Sequence, residues 1–194
     1  MLVNFLLNEK LNYQKILPQV NIASLFVSFY GSCIAFSNID IAPNYDAIWL
    51  FFTLYFFVDL WFLPNYKKDV IFHHVFFLFS MYYMKWRNNR FLHEYITRHI
   101  LKTELSSVFL SMLYLYPRKV DNMISIIIQV CFVSSFIHYR IIMNIVILFS
   151  LYQYEMLEEF IVFFPTVFLN LFWLIRIIIA VYQTTILKKK YEIN

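Results

Sequence analysis

Apolar residues in this chain fall into long runs separated by short polar clusters, and the clusters divide it into six segments near residues 20–37, 46–64, 70–84, 97–117, 122–150 and 160–184. A helix that crosses a bilayer needs about 20 mainly apolar residues. The pattern therefore predicts an all-α fold, a polytopic membrane bundle of about six transmembrane helices. The third segment is short. The fifth is long, and is either one tilted helix or a span plus an interfacial piece that breaks near Arg140. The same division gives an N-terminal segment (1–19), a transmembrane domain (20–184) and a basic tail (185–194).

Composition strengthens the membrane reading. The chain is 61% hydrophobic and 22% aromatic, has a single glycine, and has a mean hydropathy of +0.63. A soluble domain of this size cannot hide that much apolar surface, so most of it is expected to meet lipid. The net charge of +4 comes from basic residues in short runs between apolar segments, which suits membrane topology better than nucleic-acid binding.

With both termini cytosolic, nine basic residues lie inside (Lys10, Lys15, Lys67, Lys68, Arg118, Lys119 and Lys188 to Lys190) and four outside (Lys85, Arg87, Arg90 and Arg98). The stretch before Pro18 mixes Glu9, Lys10 and Lys15 with leucines and offers no small-residue cleavage site, so a retained first span is expected. Cys33 and Cys131 fall inside apolar segments with no metal-ligand spacing, and are read as small hydrophobes.

Ionisable residues inside the spans then stand out: Asp59, His73, His74, Lys102, Glu104, His138, Arg140 and Arg176. Facing lipid at mid-membrane, a charged side chain costs about 2.5–3.5 kcal/mol, so these groups should line the bundle interior or reach an interface. Lys102, His138 and Arg176 are read as interfacial. Helical spacing puts Glu104, Ser107 and Ser111 on one face, Gln129, Arg140 and Asn144 on another, and Thr166, Asn170 and Trp173 on a third. The short connection "NYKKD" makes the second and third spans antiparallel neighbours. Asp59, His73 and His74 then lie at similar depth, in a polar chamber open to the cytosol.

The plainer alternative is that such groups only bond helix to helix, at about 0.6 kcal/mol each. Two adjacent histidines suggest more, because neutral imidazole can serve as base, nucleophile or hydrogen-bond donor, with Asp59 or Glu104 setting its tautomer. Neighbouring residues on a helix point about 100° apart, so one histidine faces the chamber fully and a metal held by the pair is disfavoured.

An Asp in one span, "HH" in the next, then "LKTELSSVFLSML", "FVSSFIHYR" and "LNLFWLI" together resemble the TLC-domain family, over roughly residues 20–184. The family includes the ceramide synthases and smaller TLC-domain proteins of lipid homeostasis. The resemblance marks His73, His74, Asp59 and Glu104 as candidate catalytic residues, and Arg140, Ser107, Asn170 and Trp173 as candidate binding residues. It implies a protein of the endoplasmic reticulum or another endomembrane whose partners are membrane lipids, with no metal and no resident cofactor.

In the synthases a double histidine is needed to transfer an acyl group from acyl-CoA, the cosubstrate, to a sphingoid base, and a later span carries a further His-Asp…Asp motif. Here that later segment reads Thr103, Glu104 and Ser107, as in the smaller TLC-domain proteins. Lipid binding or lipid homeostasis is therefore the first expectation. A ceramide-synthase-like N-acyltransferase is the second, and a trafficking or cargo-receptor role the third.

Overall fold

The computed structural model describes residues 18–37, 45–62, 68–87, 90–115 and 123–192. Among the described residues the fold is all-helical, with six helices. They are α1 (Pro18–Phe36), α2 (Tyr45–Phe62), α3 (Lys68–Arg87), α4 (Arg90–Leu115), α5 (Met123–Gln153) and α6 (Leu157–Glu192). Each covers one of the six apolar segments. Two stretches, Met123–Gln153 and Leu157–Ile179, are long and apolar enough to cross a membrane. The N-terminal segment before Pro18 lies outside the described residues.

Three differences from the sequence pattern have physical causes. First, α4 begins at Arg90, well before 97. Its charged first turns are helical partly because Glu94 and Arg98 pair at 3.0 Å across one turn, with the acid on the N-terminal side, the favoured order. Second, α5 does not break near Arg140. It stays helical but widens into a π-helix over Phe136–Ile142, with the Met143 N–H reaching back five residues to the His138 carbonyl. Third, α6 continues through the basic tail to Glu192 and also runs unbroken past Pro165.

The link between α5 and α6 is a tight reversal at Tyr154, Glu155 and Met156. The Met156 N–H bonds the Leu151 carbonyl at 2.9 Å and the Glu155 N–H bonds the Tyr152 carbonyl at 3.2 Å. That pair of bonds is a Schellman ending, which places its C′ residue in the left-handed region. Glu155 occupies that place with φ 56°, where glycine is the usual choice.

Helix α4 is the hub. It contributes a residue to each of three apolar clusters: Leu101 with Ile34, Phe52 and Phe56, Leu113 with Phe132 and Phe136, and Ile96 with Ile147 and Phe163. Its most extensive neighbour is α1. At that seam stands Gly31, the one glycine of the chain. A Cβ there would lie 2.9 Å from Phe52 Cζ and 3.5 Å from a Leu101 methyl.

The distribution of polarity is inverted relative to a water-soluble bundle. Buried polar residues include Ser28 and Ser32 on α1, Thr97, His99, Glu104, Ser106 and Ser111 on α4, and Asn170 on α6. The outer faces of the same helices carry Phe26, Phe29 and Phe36 on α1, and Phe164, Phe168 and Ile175 on α6.

Candidate functional site

The π segment of α5 aims Arg140 at α4. Although only 6% exposed, the guanidinium is not in a dry apolar pocket. Its Nε donates to Ser106 Oγ at 2.6 Å and its Nη2 to Ser107 Oγ at 2.8 Å. Ser106 passes its own proton to the Thr103 carbonyl at 2.8 Å, a bond that i, i+3 spacing on one helix makes available. The rings of Phe136 and Trp173 face the guanidinium carbon at 5.8 and 5.9 Å, within cation–π range.

A second network holds the backbone at this point. Asn144 donates its Nδ2 to the Arg140 carbonyl at 2.7 Å, and its Oδ1 stands 3.0 Å from His99 Nε2. All of these groups are buried. Helix α4 therefore grips α5 twice, through the Arg140 side chain and, by way of Asn144, through the Arg140 carbonyl.

The two histidines that open α3 diverge. His73, half-buried, lies with its ring centroid 4.9 Å from that of Trp173, while buried His74 lies 4.7 Å from Phe56 on α2. Their own centroids are 5.5 Å apart. One imidazole thus faces α6 and the Arg140 site and the other faces α2, as a 100° step between neighbours requires.

Of the residues marked in the sequence, Arg140, Ser107, Trp173 and His73 come together as a chain of contacts. Glu104 is buried but turned to α1, where it accepts from Ser28 Oγ at 2.7 Å. No ion pair joins it to Arg140 among the described residues. Asn170 is buried, and its Oδ1 has no hydrogen-bond partner among the described residues. Asp59 lies on α2, but its side chain is outside the described residues, so its expected role beside the histidines is not addressed by the geometry. Gln129 bonds Ser125 on its own helix at 3.2 Å.

This chain matches no family model, no curated protein and no solved structure. What the site can do is therefore read from its own chemistry. Three residues in it were not singled out by the sequence pattern: Ser28, His99 and Ser106. His99, Thr103 and Ser106 lie at i, i+4 and i+7, a stripe beside the one formed by Glu104, Ser107 and Ser111, and Ser28 lies on a stripe with Ser24 and Ser32, so the signal for all three was present. Among the described residues, no group of three His, Cys, Asp or Glu side chains stands together as a metal ion would need. The assembled groups are a fixed cation, hydroxyls, an imidazole and an indole wall, a set suited to holding a polar head group against an aromatic surface.

Proposed function

We propose that this chain is a multi-pass integral membrane protein of TLC type, with six helices entering the bilayer and both termini cytosolic, and that it binds a membrane lipid at the Arg140 site. The endomembrane location follows from the family resemblance. The observation that carries the reading is the inverted polarity: Arg140 is held by Ser106 and Ser107 at the centre of helices whose outer faces are phenylalanine and isoleucine. In the two longest apolar stretches only 33% and 28% of the most apolar window is buried inside the fold. A core helix of a soluble protein would be mostly covered, so the remainder needs another apolar solvent, and lipid is the natural one.

In this reading His73 and Trp173 line the approach to Arg140. The indole supplies apolar contact for the upper acyl chain or glycerol, and the imidazole supplies a polar contact. Binding and homeostasis need no bond to be made or broken, and the serine-rich α4 face suits recognition.

The test is native mass spectrometry of the full chain, purified in mild detergent, beside His73→Ala/Trp173→Leu made in the same membranes. Wild type is expected to carry a defined lipid that the double variant loses while keeping its helical circular dichroism. Lipid-free wild type, or identical lipid on both, overturns the reading. Turnover of acyl-CoA with a long-chain amine by the same preparation would move the protein to the acyltransferase class.

A further inference from the structure

We infer that Arg140 and Ser107 form a seat for an anionic oxygen, so that the lipid bound here carries a phosphate or carboxylate in its head group. This rests on the lipid-binding reading above and adds the charge of the ligand.

The inference comes from counting donors and acceptors. Guanidinium has five N–H donors and no acceptor, so both serines must accept from Arg140. Ser106 then has a place for its own proton at the Thr103 carbonyl, but Ser107 donates to no described acceptor. Arg140 Nη1 likewise makes no hydrogen bond among the described residues. The unmet groups on Arg140 and Ser107 are all donors, and Arg140 is 6% exposed. Aromatic faces at 5.8 and 5.9 Å stabilise the charge but accept no conventional hydrogen bond from Nη1. Glu104 is engaged by Ser28 and, among the described residues, makes no hydrogen bond or ion pair with either group. An anionic oxygen is the group that answers several convergent donors at once, and Arg is the side chain whose fork matches phosphate and carboxylate.

Asn170 asks for the opposite. Its buried Oδ1 is an acceptor without a donor, three residues before Trp173 on α6. That spacing puts the two on one helical face. A head group with a hydroxyl or amine near its anionic oxygen satisfies Arg140, Ser107 and Asn170 together. The half-buried residues at this place are Ser107, His73 and Trp173, so a ligand arriving there passes an indole and an imidazole.

The experiment titrates the full chain in dodecyl maltoside micelles with phosphatidylglycerol, diacylglycerol, oleate, and inorganic phosphate alone, and counts bound ligand by native mass spectrometry. Phosphatidylglycerol is expected to bind about tenfold or more tightly than diacylglycerol, which has no anionic oxygen, the scale of a charge-assisted hydrogen bond. Arg140→Gln should bring the two to parity, and Arg140→Lys should keep part of the preference. Asn170→Leu should weaken phosphatidylglycerol, whose head group carries hydroxyls, and leave oleate unchanged. Tight oleate binding also supports the seat and identifies its anion as a carboxylate.

Equal binding of phosphatidylglycerol and diacylglycerol by the wild type overturns the seat and leaves the lipid site standing. That comparison holds even where Arg140→Gln does not fold. Inorganic phosphate bound without any lipid overturns the head-group assignment, and an absence of all lipid binding removes the lipid-binding reading itself.

Discussion

Asn144 fixes which nitrogen of His99 carries the proton. The Arg140 carbonyl can only accept, so the Asn144 group 2.7 Å from it must be the amide nitrogen, and the group 3.0 Å from His99 must be the amide oxygen. His99 Nε2 is therefore the donor, and Nδ1, buried and without a partner among the described residues, is left as the bare acceptor of the neutral ring. Asn144→Leu strands the buried His99 Nε2 proton and removes the side-chain bond to the Arg140 carbonyl. A destabilisation of about 1–3 kcal/mol is expected, the cost of one buried donor left unmet. Asn144→Asp keeps the acceptor for His99 and loses the donor to the carbonyl, so it should be no more stable than wild type. Thermal unfolding of the detergent-solubilised chain, followed by circular dichroism, checks both. An Asn144→Leu protein that melts with wild type would show that the network does not hold α4 to α5.

Much of the bundle was legible because apolar run length is a crude signal that survives errors of a few residues, and each of the six runs did become a helix. The site was legible only in part. The Ser107–Arg140–Trp173 grouping followed from stripes on three helices, since each residue was the polar or aromatic exception on its face. The π segment could not be read, because nothing in "FIHYRII" distinguishes five-residue from four-residue backbone bonding. Ser28 belongs to a periodic stripe with Ser24 and Ser32 at i, i+4 and i+8, but its role depends on which helix lies opposite, which the stripe does not say.

Gly31 lies where α1 packs against Phe52 and Leu101. Its missing Cβ leaves room for the end of the buried Phe52 ring, 2.9 Å from where that carbon would be. Gly31→Ala asks the ring to tilt by a few tenths of an ångström, and the gain in helix propensity, about 1 kcal/mol, offsets part of the strain. Gly31→Val adds two more carbons at the same contact and should destabilise by about 1–3 kcal/mol, as overpacked cores do. A melting point for Gly31→Val equal to that of wild type would mean that α1 is free to move away from Phe52.

Glu155 sits in a glycine position. Left-handed backbone costs a residue with a Cβ about 1–2 kcal/mol, and glycine avoids that cost while losing more chain entropy on folding. Glu155→Gly should therefore raise stability slightly, by up to about 1 kcal/mol. Glu155→Val, with a branched Cβ at φ 56°, should lower it. The ordering Gly, Glu, Val in thermal midpoint is the measurement, and any other order would argue against the Schellman ending at the α5–α6 turn.

The far end of the bundle is tied by charge. Arg87 on α3 reaches the start of α6, with Nη1 3.1 Å from Glu158 and Nε 3.2 Å from Glu159, and Tyr83 adds a hydroxyl 3.1 Å from Glu158. The bond to Glu159, then the charge of Glu158, raises the Arg87 pKa further above its ordinary value. The two acids should not be equivalent. Glu158 is 65% exposed and stays hydrated when its partner leaves, whereas Glu159 is 4% exposed and has little water to replace Arg87. Arg87→Met should therefore destabilise the chain mainly through the stranded Glu159 carboxylate, and adding Glu159→Gln to that variant should recover part of the loss, while adding Glu158→Gln should recover little. The thermal midpoints of the two double variants decide it, and equal recovery would place the strength of the tie in exposed Glu158 instead.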